Sequence, residues 1–284
     1  MSEFGGAWSA KKLDCVSRYL DAYQTALKNK NFELVYIDAF CGDGSQKVQD
    51  TEDQMFLGEA REFMRGSAQR AVELEVPFHR YHFIDKSKQS LDELEARLTK
   101  LRPNFVGRMK WHPGDVNVEL PKIIRNLDVK GSRAVVFADP FGMQVDWETI
   151  KVVAACPIID FWYLVPTGLA LNRMATKSGK MPKSWSDKLD RFLGDKDWRT
   201  RWYRKKEEEG LFGLIESTQK VADVGLIEDD FQAQLKKAFP FVAKNKMQLK
   251  DQGRVLFTLM FACSNPSYKA QGLASKIANH VLMG

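Results

Sequence analysis

The chain of 284 residues contains no run of eighteen or more apolar residues, which excludes an ordinary membrane-spanning helix. Met1 to Lys12 carry no apolar h-region, so no secretory signal is expected. Cysteine is scarce and scattered. Cys15, Cys41, Cys156 and Cys263 show no C-x-x-C spacing, which argues against a zinc cluster or a disulfide framework and makes a reducing cytoplasm the expected compartment. His79, His82, His112 and His280 have no metal-ligand spacing, and no metal site is expected. No G-K-[ST] occurs, which excludes a P-loop, and the third glycine of a dinucleotide-binding G-x-G-x-x-G is missing.

What is present is an ordinary globular composition, 44% hydrophobic and 28% charged, long enough for one large domain or two small ones. The net charge of +6 is compatible with a polyanionic partner. The chain is organised around Phe32 to Ser45. Leu34 to Ile37 form a short apolar run that reads as a buried strand, ending in Asp38 and then in Gly42 and Gly44. Glycine lets the chain turn sharply and lets a ligand approach the backbone. Taken alone, the stretch fits a plain turn as well as a site.

The remainder alternates strand and helix patterns. An amphipathic helix over 11–29 precedes the first strand, and Ser67 is placed to cap a helix over Ala68 to Leu74. Strands are expected over Phe78–Ile84, Phe105–Trp111, Arg133–Ala138 and Ile158–Val165, with helices over Ser87–Leu101, Leu120–Leu127 and Trp147–Ala155. This spacing predicts an α/β fold, a mainly parallel sheet with helices on both faces. Residues 172–250 read as a polar, mainly helical insertion without a strong strand. A late strand at Arg254–Cys263 and a helix at Gly272–Leu282 complete the core, giving divisions at 1–171, 172–250 and 251–284.

Asp38, Asp85, Asp115 and Asp139 each fall at or after a strand end, where ligands collect in open α/β sheets. Asp85 lies about forty residues beyond Gly44, too far for the ribose acid of a nicotinamide-binding unit, whose spacing is about twenty. S-adenosylmethionine fits the series better. Its amino-acid end can meet Asp38 and the loop of Phe40, Gly42 and Gly44; its ribose hydroxyls can meet Asp85, and its adenine amine Asp115. Asp139, Pro140 and Phe141 then fall where a methyl acceptor is held, the acid accepting from an exocyclic amine and the ring stacking on a base. A helix cap for Asp85 and a Pro-Gly-Asp turn for Asp115 are the plainer alternatives.

The ordered motifs Y-I-D-A-F-C-G-D-G, G-S-A-Q-R-A, F-I-D-K-S, F-A-D-P-F-G, L-V-P-T-G-L-A-L-N-R and L-M-F-A-C-S-N-P resemble the three-Cys-motif partner family, which is similar to class I methyltransferases. The resemblance spans nearly the whole chain. It implies a seven-stranded Rossmann-like methyltransferase fold, S-adenosylmethionine as cofactor, and a partner protein carrying three cysteines. Amino-methyltransferases usually carry two prolines after the acid or Asn; Asp139-Pro140-Phe141-Gly142 has one. That departure keeps open a non-catalytic adaptor acting with the three-cysteine partner.

Residues 172–206 hold twelve basic and four acidic residues, a local charge of +8, interleaved with Trp185, Phe192, Trp198, Trp202 and Tyr203. Cations for phosphates and rings for stacking predict a nucleic-acid surface. The competing reading is a helical pair with its aromatics in the core and its lysines in water. Asn172 and Arg173 follow the fifth strand at the edge where substrate would approach, and Arg173 suits phosphate or carboxylate recognition.

Overall fold

The computed structural model describes residues 6–42, 66–210 and 213–283. Gly44 and the stretch 45–65 that follows it lie outside these residues. Leu34 to Ile37 are each at most 2% exposed and form the heart of β1 (Glu33–Asp38). A strand buried on both faces needs apolar side chains at every position, which is why the run does not alternate. β2 (Arg80–Asp85) and β4 (Ser132–Ala138) lie parallel to β1 on its two sides. β3 (Met109–Pro113) pairs with β2, and β5 (Ile159–Val165) with β4, both again parallel.

Side chains leave successive strand residues on opposite faces. Val35 and Ile37 join one core with α4 (Val116–Arg125) and α5 (Trp147–Ala155). Leu34 and Tyr36 join the other, with α1 (Gly6–Leu27), α2 (Ser67–Glu73) and α3 (Lys88–Leu101). β10 (Arg254–Cys263) runs antiparallel to β5 and pairs with β8 (Phe241–Val242) and β9 (Met247–Asp251). Among the described residues the main sheet has eight strands, in the order β3-β2-β1-β4-β5-β10-β8 with β9 beside β10. α9 (Tyr268–Met283) ends the described chain. This is an α/β fold, a mainly parallel sheet with helices on both faces.

Two stretches differ from the sequence expectation. β3 does not begin at Phe105. Pro103 opens a 3-10 segment, Pro103–Arg108, in which the guanidinium groups of Arg102 and Arg108 lie over the Phe105 ring, 5.4 and 4.8 Å from its centre. The segment 172–250 is not mainly helical. α6 (Lys183–Leu193) and α7 (Trp198–Trp202) lead into an antiparallel hairpin, β6 (Tyr203–Gly210) and β7 (Gly213–Lys220), before α8 (Val224–Ala238), β8 and β9. Tyr203–Gly210 is almost wholly charged, and Gly213–Lys220 has only Ile215 and Thr218 as β-branched residues, without alternation, so the sequence pattern does not betray the hairpin.

Four of the five aromatic residues of the basic segment are core. Trp198 and Trp202 are 0% exposed, and Phe192 and Tyr203 are buried with them. The two tryptophans are four residues apart, on one face of α7. Each indole N–H is satisfied, Trp198 donating to Asp190 Oδ1 at 2.8 Å and Trp202 to Asp230 Oδ2 at 2.8 Å. The same carboxylates bind Arg199 (2.7 Å) and Arg201 (2.6 Å), so these two cations hold the fold together. Of the five rings only Trp185 is exposed, so four of the rings expected to stack are core instead.

Truncation of a large buried side chain loses both transfer energy and packing. Trp198→Ala and Trp202→Ala should each destabilise the chain by roughly 3–5 kcal/mol, read as a lower urea midpoint with an unchanged slope. A midpoint within experimental error of the parent would place these rings outside the core.

Candidate functional site

Strand order reverses between β1 and β4, the point where open α/β sheets form a crevice beyond the carboxyl ends of their strands. Asp38 ends β1 opposite Phe137 of β4, and Asp139 lies two residues further on. Asp85 ends β2 on the other side. The register therefore gathers three of the four acids at one edge.

Asp38 is 0% exposed. Its Oδ2 accepts from the Ser67 hydroxyl at 2.8 Å and from the Tyr36 hydroxyl at 3.3 Å, and its Oδ1 from the Phe40 amide at 3.3 Å. Burial pushes its pKa up to about 7; the Asp139 charge adds to the rise, while the hydrogen bonds from Ser67, Phe40 and Tyr36 oppose it. Ser67 is not the helix cap expected of it. Gly66 occupies the cap position without a side-chain bond, and the Ser67 hydroxyl turns to the buried carboxylate instead. A desolvated acid left without donors costs more than an uncapped amide that water can reach.

Asp85 bridges two loops. Oδ2 accepts from the Gly42 amide at 3.0 Å and Oδ1 from the Ser87 amide at 2.7 Å. Burial raises its pKa, and these two amides work against the rise. Gly42 is closely approached: a Cβ would stand 2.0 Å from Asp85 Oδ2, so a side chain there would force the carboxylate to shift. Ser87 caps α3 as its sequence position indicates, its hydroxyl accepting from the Ser90 amide. Cys41 is a structural thiol: its sulfur donates to the Ile84 carbonyl at 3.3 Å, and burial holds its pKa well above the ordinary value. The Phe40 side chain is half-buried against the core.

Asp115 caps α4, its Oδ1 accepting from the Asn117 amide and from Asn117 Nδ2. Asn117, not singled out by the sequence, is the link between α4 and the loop after β4. It also donates to the Gln144 carbonyl at 2.8 Å and accepts from the Asp146 amide and the Thr149 hydroxyl. Asp139 and Pro140 are buried, and Phe141 is half-buried with its amide donating to Gln144 Oε1. Asn172 lies in a π-helical turn, Thr167–Asn172, where Lys220 of β7 donates to its Oδ1 and its carbonyl at 2.6 and 2.8 Å. Arg173 is exposed just beyond. The structure thus groups Asp38, Gly42, Asp85 and Asp139. It connects Asp115 to the loop after Asp139 through Asn117, and ties Asn172 to the hairpin. Sequence reasoning missed Ser67 and Asn117 in these roles. Both sit at helix starts, where a hydroxyl or amide reads as a cap.

No protein-family model matches the chain, and no curated protein matches it. Solved structures share its general arrangement at low identity. Protein LPL1258 from Legionella pneumophila overlaps 98% of this chain and 93% of its own, with 14% identity and a TM-score of 0.43. A candidate S-adenosylmethionine-dependent methyltransferase from Listeria monocytogenes overlaps 85% and 97%, with 12% identity and a TM-score of 0.37. Spermidine synthase from Thermotoga maritima overlaps 89% and 58%, with 10% identity and a TM-score of 0.38. At these values nothing about activity follows from the overlaps.

Gly42→Ala should destabilise by about 1–3 kcal/mol through the clash with Asp85. In an Asp85→Ala background the same change should cost little, so a double-mutant cycle read by urea unfolding should show strong coupling. Equal costs in both backgrounds would mean that the close approach is absent in solution. An acid whose folded pKa is raised stabilises the native state below its unfolded pKa and loses that contribution as pH rises through the folded value. The stability of the parent relative to Asp38→Asn should therefore fall steadily between the ordinary 3.8 and about 7. A flat difference across that window would remove the buried-acid assignment.

Proposed function

We propose that the chain is an S-adenosylmethionine-dependent methyltransferase that acts on nucleic acid. The observation that carries the cofactor reading is the Gly42–Asp85 contact, which sets a carboxylate and a glycine loop together at the sheet's reversal point. The donor set fits the group. A carboxylate has about four acceptor sites. Asp85 uses one on Gly42 and one on Ser87, leaving capacity for the two ribose hydroxyls. An ammonium at the end of β1 would draw Asp38 to its charged form, and Asp115 is exposed just after β3 for an adenine amine. When bound, the cofactor supplies an electrophilic methyl group on a sulfonium.

In this reading Asp139 and the carbonyl of Pro140 hold an acceptor amine, with Phe141 beside it, by positioning more than by proton transfer. Nucleic acid rests on charge alone. Arg173, Lys177, Lys180, Lys183, Lys188 and Arg191 are all exposed along the segment that leaves β5, and cations of this density favour a phosphate backbone. A second reading, a non-catalytic adaptor for a three-cysteine partner of the family that the motifs resemble, is favoured by the single proline of Asp139-Pro140-Phe141-Gly142.

Calorimetry with S-adenosylmethionine should show one site, weakened at least tenfold by Asp85→Ala; no heat with the parent would end the cofactor reading. A transfer screen with labelled cofactor against total RNA, DNA and protein should mark nucleic acid, and Asp139→Ala should abolish the mark. Cofactor binding without transfer to any of the three would favour the adaptor.

A further inference from the structure

The loop after β4, residues 139–146, carries the proposed acceptor site and is fastened in two ways. Met143 and Val145 are buried in the core beneath it. Gln144, between them, is exposed. Its backbone carbonyl accepts from Asn117 Nδ2 at 2.8 Å, and its side-chain Oε1 accepts from the Phe141 amide at 3.0 Å. The backbone at Phe141 is therefore held from Asn117 by way of Gln144.

The Asn117 side chain has no hydrogen-bonding capacity to spare. A primary amide offers two N–H donors and two acceptor positions on its oxygen. Nδ2 donates to Asp115 Oδ1 at 3.0 Å and to the Gln144 carbonyl. Oδ1 accepts from the Asp146 amide at 2.9 Å and from the Thr149 hydroxyl at 2.8 Å. These partners also fix the amide's orientation, since the reverse would set its oxygen against a carboxylate and a carbonyl. Asn117 thus joins the residue after β3, the loop after β4 and the first turn of α5. Only one oxygen of Asp115 takes part. Its Oδ1 accepts from the Asn117 backbone amide and from Nδ2, while Oδ2 has no partner among the described residues and the residue is exposed.

We infer that Asn117 is a positioning residue that couples the adenine end of the cofactor site to the acceptor loop, so that each ligand favours the other. The inference rests on the cofactor reading above. An exposed carboxylate turns about its Cβ–Cγ bond, and its two oxygens exchange places as it does. An adenine amine donating to Oδ2 stops that rotation and leaves Oδ1 with Asn117. Asn117 then holds the Gln144 carbonyl, and through Gln144 the Phe141 amide, in one arrangement. The entropy lost in ordering the loop falls on the first ligand, and the second meets a loop already in place. Linkage makes the effect mutual.

The test is amide hydrogen exchange in the full chain, with and without saturating S-adenosylmethionine, read at Phe141 and Asp146. In the parent the cofactor should slow both amides about fivefold or more. Asn117→Asp keeps the acceptors for Asp146 and Thr149 and replaces both donors with a carboxylate oxygen. Its melting temperature should stay close to the parent's while the cofactor-dependent slowing disappears. Gln144→Ala should lose the slowing at Phe141 and keep it at Asp146, a split that a residue serving stability alone would not produce. If Asn117→Asp does not fold, that split decides the matter; loss at both amides, or at neither, overturns the inference. Slowing of equal size in the parent and Asn117→Asp also overturns it, as does a cofactor that binds the parent without slowing either amide. In those cases the cofactor reading stands. Calorimetric silence with the parent ends both together.

Discussion

Placing the Asp38 carboxylate out of water at the end of β1 is costly unless donors are brought to it, and the neighbourhood is arranged accordingly. Tyr36 turns its hydroxyl from within the same strand, Phe40 presents its amide from the loop, and Ser67 arrives from the start of α2. Three separate pieces of chain thus converge on one group. Desolvation of a charge of this kind runs to several kcal/mol. Raising the pKa to about 7 is how the site limits that cost, since near neutrality the acid is about half protonated. Asp139, delivered by the neighbouring strand, adds a second negative charge and sharpens the effect.

The insertion balances charge differently. Its +8 is a property of sequence, while much of its structure is ionic pairing in place. Asp190 and Asp195 on one side and Asp230 of α8 on the other hold Arg199 and Arg201 around two buried indoles. Partly buried, bidentate guanidinium–carboxylate contacts fix orientation as well as supply energy. The lysines left over face water. A basic composition can therefore serve two ends at once, with some cations building the insertion and others giving its surface a sign.

The sequence made the sheet legible because buried parallel strands are written as apolar runs: Asp38 and Asp139 follow such runs directly, and Asp85 follows a strand interrupted by Arg80 and His82. It did not make the hairpin legible. Tyr203–Gly210 and Gly213–Lys220 pair Lys205 with Thr218 and Lys206 with Ser217, residue types that solvent-facing helices use equally. Trp198 and Trp202 were ambiguous for a related reason: their four-residue spacing signals a buried face, while the arginines around them signal a surface. The roles of Ser67 and Asn117 depend on partners 27 to 32 residues away, and local pattern holds no record of those.

Gly42 and Asp85 meet so closely that neither position can be described alone. A side chain at 42 requires the carboxylate at 85 to shift and give up its bond from the Gly42 amide. Forty-three residues apart in the chain, the two behave as a single unit of substitution. Across descendants of this sequence they should change together or not at all.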